Sequence, residues 1–185
     1  MPSYLGRIIK IAYGEQVIFQ LVISSDIINT YLPYVLHAFP TPITITDRIK
    51  RDFIYSKPMI FTSRSQLSGE MQNLSSFVSE ADFFEQLLPK QMSMVRCNMV
   101  ILGDRIILAR IPQTYKLPYY LLCKHITLTD HSVDIRFAGE FWRDDDEGFR
   151  LNNNSGTYRP SKTLVESTVA LFNHLFPFLE VQGLS

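Results

Sequence analysis

The residues best suited to chemistry lie in one stretch of the chain, between Lys124 and Ser161. Histidine, glutamate and tyrosine side chains can transfer or orient protons, and this stretch holds a candidate of each type. His125 is the candidate base, and Glu140 is the carboxylate expected to orient it. Tyr158 is the candidate hydrogen-bond donor. These three residues are the predicted catalytic set.

The last part of this stretch has the composition of a junction between a strand and a helix. Asparagine and glycine tolerate a positive φ, and Pro160 prepares the start of a helix. Backbone N–H groups at such a junction can hold a phosphate or a carboxylate, and Arg159 adds a positive charge beside them. The predicted ligand-binding residues are Ser155 (a second candidate donor), Gly156, Thr157, Arg159 and Ser161.

The same residues also have a purely structural interpretation. Residues 155–160 can form a rigid turn in which Tyr158 anchors the last helix. His125 can be a hydrogen-bonded core histidine, and Glu140 can belong to the polar face of a strand. Geometry separates the two interpretations. A ligand site requires these side chains to converge on a concave pocket, whereas a buried Tyr158 indicates a structural junction.

Several residues of this stretch follow a recurring order: His125 and Thr127, then Ala138-Gly139-Glu140, Gly148, Asn154-Ser155-Gly156, Tyr158 and Pro160. In this order the stretch resembles a module shared by plant IQ-motif, calmodulin-associated proteins and by some bacterial effector or toxin-like proteins. That module runs His-Ser-Ser/Thr, Ala-Gly-Glu/Arg, a glycine-bearing hairpin, and Asn-x-Ser-Gly-His-Tyr-x-Pro before a helix. The resemblance covers residues 124–161 of the 185-residue chain.

The stretch departs from the module at one position. Thr157 stands where the module has a histidine, so an activity that needs this histidine would be lost here. No IQ helix is visible in the sequence, so the resemblance does not imply calmodulin binding. The resemblance predicts which kind of domain this is, but it does not predict a catalysed reaction.

Motifs of the common cofactor enzymes do not occur in the sequence. A glycine-rich phosphate loop, Gly-x-Ser-x-Gly, His-Glu-x-x-His and Cys-x-x-Cys are all missing. The acidic residues 144–147 lack the alternating ligands and the glycine of a calcium loop, so they predict a solvated turn. We therefore expect no cofactor and no metal, and the sequence leaves open whether the protein is an enzyme.

The composition predicts one globular domain, residues 1–185, with a large core. Hydrophobic residues make up 46% of the chain, and 18 Lys+Arg balance 18 Asp+Glu. A balanced charge gives no attraction to nucleic acid or to a membrane surface, so neither is expected as a partner. Cys97 and Cys123 lie in apolar runs, which predicts buried thiols in a reducing compartment. No stretch approaches the ~18 apolar residues of a membrane span. We expect a cytoplasmic protein.

The fold class that the sequence predicts is α+β, a mainly antiparallel sheet with two or three helices and the C-terminal helix packed on the sheet. Predicted hairpins lie around Tyr13-Gly14 and Gly103-Asp104, and predicted helices begin after Ser79 and Ser161. A third helical stretch is predicted from Ser24 to near Phe39, in which Pro33 either begins a short helix or kinks a longer one. A polar loop is predicted over residues 63–76. Further strands are predicted over residues 43–62, 119–129, 133–142 and 149–152.

Two functions follow from these observations. The first is an interaction or structural domain in a larger assembly with a protein partner, because no catalytic motif is present and any of the 13 Phe and 9 Tyr that the core does not bury would line an interface. A core of this size can also hold all of these aromatic residues. The alternative is a small-ligand-binding or transferase-type domain. It would hold an anionic small ligand at the junction 152–161.

Overall fold

The structure is a computed structural model that describes residues 5–38, 64, 67–91, 95–113, 121–130, 132–144 and 148–185. Its strands are β1 Leu5–Tyr13, β2 Gln16–Ile23, β3 Glu70–Asn73, β4 Arg96–Leu102, β5 Arg105–Arg110, β6 Ile135–Asp144, β7 Gly148–Asn152 and β8 Val181–Leu184. Its helices are α1 Ser25–Tyr31, α2 Glu80–Leu87, α3 His125–Thr129 and α4 Lys162–Leu175, and a 3₁₀ turn follows at Pro177–Leu179.

All eight strands belong to one sheet in the order β3-β1-β2-β5-β4-β6-β7-β8. Neighbouring strands pair antiparallel, with the exception of β7 and β8, which run parallel. Helix α4 connects this parallel pair and packs against β8. The predicted α+β class, with a mainly antiparallel sheet and the C-terminal helix on it, is confirmed.

Both predicted hairpins are present. β1 turns into β2 at Gly14, whose φ of 62° lies in the left-handed region that glycine enters without strain. β4 turns into β5 at Gly103-Asp104, between the paired residues Ile101 and Ile106. These turns depend on neighbouring residues only, which is why their sequence signals are reliable.

The central strands β4 and β5 are buried on both faces, as their continuous apolar runs indicate. On the first face, Met99 and Leu108 lie fully buried in a core that includes side chains of α1, α2 and α4. On the second face, Val100 and Ile107 lie in a smaller core with Leu128 from α3. The second face is the one that carries the candidate site.

Side chains cap the starts of α2 and α4 and the ends of α1 and α2. The Ser79 hydroxyl accepts a hydrogen bond from the Asp82 N–H at 3.1 Å, and the Ser161 hydroxyl accepts one from the Leu164 N–H at 3.4 Å, which confirms both predicted starts. At the C-terminal ends, sheet arginines donate to free carbonyl groups: Arg136 to Leu32 after α1, and Arg110 to Leu87 of α2, at 2.7 and 2.8 Å. A cation there also favours the negative end of the helix dipole.

The structure corrects two of the sequence predictions. Helix α1 ends at Tyr31 and does not extend to Phe39, because Pro33 disfavours a helical conformation at Leu32, which adopts φ −130° and ψ 70°. The strand predicted over residues 119–129 is wrong, since residues 121–122 and α3 are helical. The β-branched residues of this segment favour a strand. The structure has a helical turn instead, because this conformation lets the segment pack on the second face of the sheet.

Two strands escape the sequence prediction. The polar segment 63–76, expected to be a loop, contains β3, whose four residues are all exposed and therefore show no apolar alternation. β8 is a short parallel strand that only the crossover through α4 brings beside β7. The strands expected over residues 43–62 lie outside the described residues.

Candidate functional site

Three residues of β6 form the base of the candidate site. Ala138, Gly139 and Glu140 are consecutive, and Glu140 pairs with Asn152, the last residue of β7. This register places Glu140 beside the start of the junction 152–161, although fourteen residues separate Glu140 from Asn154 in sequence. The site therefore depends on the pairing of two strands.

The Glu140 carboxylate is fully engaged by neighbouring side chains. One oxygen accepts hydrogen bonds from Arg96 at 2.8 Å and from the Asn152 amide at 2.9 Å. The other accepts a hydrogen bond from the Asn154 amide at 3.0 Å. Since the side chain is only 13% exposed, these bonds are partly shielded from water. Glu140 thus ties β4 and β6 to the chain that leaves β7.

The Asn152 side chain ends the ladder between β6 and β7. Its amide oxygen accepts from the backbone N–H groups of Glu140 and Asn154, both at 3.0 Å. Asparagine can supply an acceptor and a donor at once, as this position requires. The chain then turns away from the sheet with its polar groups satisfied.

Gly139 has no room for a side chain. A Cβ atom at this residue would lie 1.9 Å from the carbonyl oxygen of Asn152, far inside van der Waals contact. The obstacle is backbone and belongs to the strand that pairs with Glu140. The small residue before Glu140 is therefore explained by the close approach of β7 to β6.

His125 begins α3 and makes a hydrogen bond to the backbone of Gly139. Its Nε2 atom lies 2.8 Å from the Gly139 carbonyl oxygen, so Nε2 carries the proton and donates. Burial lowers the pKa of His125, against the opposing effects of this carbonyl and of the Glu140 charge. The bond of His125 goes to Gly139 and not to Glu140, so Glu140 does not orient the imidazole directly.

Tyr158 is buried in the core of the second face. Its side chain is 3% exposed, and its hydroxyl donates to the Thr129 hydroxyl of α3 at 3.2 Å. Burial raises the pKa of Tyr158. Tyr158 therefore connects the junction to α3 through apolar contact and one hydrogen bond, as the structural interpretation requires.

A tight turn connects β7 to α4 around Tyr158. The buried Ser155 hydroxyl accepts from the Tyr158 N–H at 3.3 Å, and the Ser155 carbonyl accepts from the Arg159 N–H at 2.9 Å. Arg159 adopts a φ of 45° and donates from Nε to the Gly156 carbonyl at 3.2 Å. Thr157 is partly buried in this turn.

A cleft of about 520 Å³ opens beside this turn. It lies where β7 and β8 end and α4 begins, which is where ligands bind in parallel strand–helix–strand units. Of the predicted binding residues, Ser155, Gly156 and Arg159 line the cleft, whereas Thr157 and Ser161 do not. The predicted catalytic residues do not line it either. Its lining consists of Asn152, Asn153, Asn154, Ser155, Gly156, Arg159, Pro160, Leu184 and Ser185.

A second cleft, of about 500 Å³, lies on the same face of the sheet near β1 and β5. Its charged groups interact within the protein: Arg105 pairs with Asp104 at 2.7 Å, and Arg64 donates to the Leu128 carbonyl at 2.8 Å. Reasoning from the sequence missed this cleft. Its residues come from several separate segments, and no local motif marks them.

The two cysteines are buried thiols that no disulfide joins to each other. Burial raises the pKa of Cys97 to about 12 and that of Cys123 to about 11, so neither is a thiolate at neutral pH. Within the described residues, His, Cys, Asp and Glu form no group of three or more suited to a metal ion. Across the same part of the chain, none of the helices has the length and apolar character to cross a membrane.

Comparisons with protein-family models, with curated proteins and with solved structures each returned no match.

Proposed function

We propose that this protein is a cytoplasmic interaction domain that works as a component of a larger protein assembly. The observation that carries the proposal is the surface at β3, the edge strand of the described sheet. Met71 is 71% exposed on this strand, and Phe77 is 78% exposed in the turn that follows it. Large apolar side chains so close to an open strand edge are typical of a surface that a partner covers.

The bonding of the candidate catalytic residues supports the same proposal. Glu140 bonds to Arg96, Asn152 and Asn154, and Tyr158 bonds to Thr129. These bonds maintain the fold and leave the cleft without a proton-transfer group from the predicted set. Because these polar residues bond within the chain, the exposed apolar side chains near β3 are the better candidates for a functional surface.

Photo-crosslinking at single positions tests the proposal. A crosslinking amino acid replaces Phe77 in one variant and Val133, which is 83% exposed just before β6, in a control. We expect a discrete crosslinked protein product in cells from the first variant and not from the second. Equal crosslinking at the two positions, or none at position 77, would contradict an interaction surface at β3.

A second candidate function is the binding of an anionic small ligand in the cleft beside α4. It is favoured by the position of the cleft at the ends of the parallel strands β7 and β8 and by the guanidinium group of Arg159 in its lining. A helix N-terminus adds a favourable field for a negative charge.

A thermal-shift screen with nucleotides and inositol phosphates tests this second candidate. A ligand at a hundred times its Kd adds about 2.7 kcal/mol, which raises Tm by about 5–10 °C in a domain of this size. Arg159→Ala should abolish the shift, and Arg7→Ala, a control at an exposed residue of β1, should retain it. A shift that survives Arg159→Ala would place the ligand elsewhere.

A further inference from the structure

β3 forms one edge of the described sheet and has an exposed surface. Its sequence, Glu-Met-Gln-Asn, contains no lysine and no proline, and all four side chains are exposed. The opposite edge strand, β8, differs. Its Val181 is buried, and Gly183 lies under Val165 and Val169 of α4. Of the two edges, β3 is the one whose side chains are all exposed.

We propose that β3 pairs antiparallel with β3 of a second copy of this chain, so that two sheets join across a two-fold axis. The proposal rests on the interaction surface proposed above and names its occupant. Among the described strands, β1 is the one that pairs with β3, and pairing about a two-fold axis would satisfy the outer backbone groups of both copies at once, because the axis presents the same strand to itself. It extends the eight-stranded sheet of one copy directly into that of the other.

The side chains of β3 are compatible with this pairing. Side chains directly opposite each other in an antiparallel pair share a face, so a two-fold axis must pass beside a residue. An axis beside Met71 places Met71 opposite Met71 of the second copy, and Glu70 opposite Gln72 of the second copy. Glu70 is the one charged residue of the strand, so no like charges face each other. A carboxylate opposite an amide can accept a hydrogen bond from it.

The segments that flank β3 are complementary in the same orientation. Leu67 precedes the strand and is 39% exposed, and Phe77 follows it and is 78% exposed. Antiparallel pairing brings the start of one strand to the end of the other. Leu67 of each copy would therefore lie near Phe77 of the other copy, which follows the end of β3. Both apolar side chains would lose contact with water.

Sedimentation equilibrium of the purified protein over a concentration series tests the proposal. The wild-type protein should form a dimer as concentration rises, and Met71→Lys should weaken the dimer about tenfold, which corresponds to about 1.4 kcal/mol. Lysine is the residue that natural edge strands use against pairing. Val133→Lys, at a similarly exposed position away from β3, should leave the dimer unchanged.

Two results would overturn the proposal. One is a wild-type protein that is monomeric at about 1 mM, where even an interaction of only about 4 kcal/mol would be half formed. The other is a dimer that Met71→Lys does not weaken, because its interface then lies elsewhere. A monomer that still crosslinks to another protein from position 77 would refute self-pairing alone, whereas a monomer without such a crosslink would refute the proposed function as well.

Discussion

Gly139→Ala tests whether the close approach of β7 to β6 determines the glycine of the candidate site. The new Cβ atom would lie 1.9 Å from the carbonyl oxygen of Asn152 and 3.0 Å from both its carbonyl carbon and the Phe137 ring. A flexible side chain could move aside, but the carbonyl belongs to a strand that is paired on both sides. The substitution must therefore displace β7 or break the bonds at its end.

The expected cost is large for one methyl group. Overpacking a core costs about 1–3 kcal/mol, and an obstacle made of backbone places this variant at the upper end, about 3 kcal/mol. For a chain of this length, about 3 kcal/mol lowers Tm by about 6–12 °C. The displacement would also strain the Asn152 bonds to Glu140 and Asn154, which lie next to the clash.

Urea unfolding followed by tryptophan fluorescence measures this cost. Trp142 is the single tryptophan of the chain and lies on β6, 8% exposed, three residues after Gly139. The control is Gly156→Ala, because a Cβ atom at Gly156 has no neighbour within 4 Å and its φ is not positive. The control should be neutral or more stable by up to about 1 kcal/mol, through a less flexible unfolded chain.

A Gly139→Ala variant within about 0.5 kcal/mol of the wild type would refute this reasoning, since surface changes without a structural reason fall in that range. Equal losses in Gly139→Ala and Gly156→Ala would refute it as well. In that case the flexibility of glycine, and not the contact with Asn152, would be the property that the site requires.

Two further predictions concern the buried polar groups of the site. Tyr158→Phe removes the hydrogen bond to the Thr129 hydroxyl, which still donates to the Ile126 carbonyl. Urea unfolding should therefore show that the free energy of unfolding falls by about 1 kcal/mol. An unchanged free energy would show that the Tyr158 hydroxyl does not contribute to stability. The pKa of His125 is lowered in the folded protein, whereas in the unfolded chain it is about 6.5. Near and below pH 6.5 the unfolded chain therefore binds more protons than the folded protein. The contribution of His125 to the free energy of unfolding should be complete above pH 6.5 and decrease as the pH falls through that value. His125→Gln should make the free energy of unfolding depend less steeply on pH. An unchanged dependence would exclude His125 as its source.

Local signals in the sequence were sufficient for the helix starts and the tight hairpins. The caps at Ser79 and Ser161 and the turn at Gly14 depend on residues within one turn of each other. β3 and β8 are different, because their partners lie far away in sequence. β3 becomes a strand because β1 offers it an edge to pair with, and no alternation within Glu70–Asn73 announces this.

The candidate site shows the same division. The residue types of Ala138-Gly139-Glu140 and of the turn at residues 155–160 are enough to mark both segments as unusual. Their contact depends on the register that pairs Glu140 with Asn152, which a single sequence does not contain. The same is true of His125, whose bond to Gly139 requires α3 to be helical, although its β-branched residues favour a strand.

Several arginines in the described part of the chain bond to carbonyl and carboxylate groups of the fold. Arg136 is buried, with a bond to the Leu32 carbonyl and an ion pair to Asp134 at 2.5 Å. Arg143 bonds to the Leu88 carbonyl and to Glu85, and Arg96 lies over the Trp142 ring at 4.3 Å. These cations hold helix ends and strand pairs together. Because these groups bond within the fold, the interaction proposed at β3 relies on the backbone edge and on apolar side chains more than on electrostatic attraction.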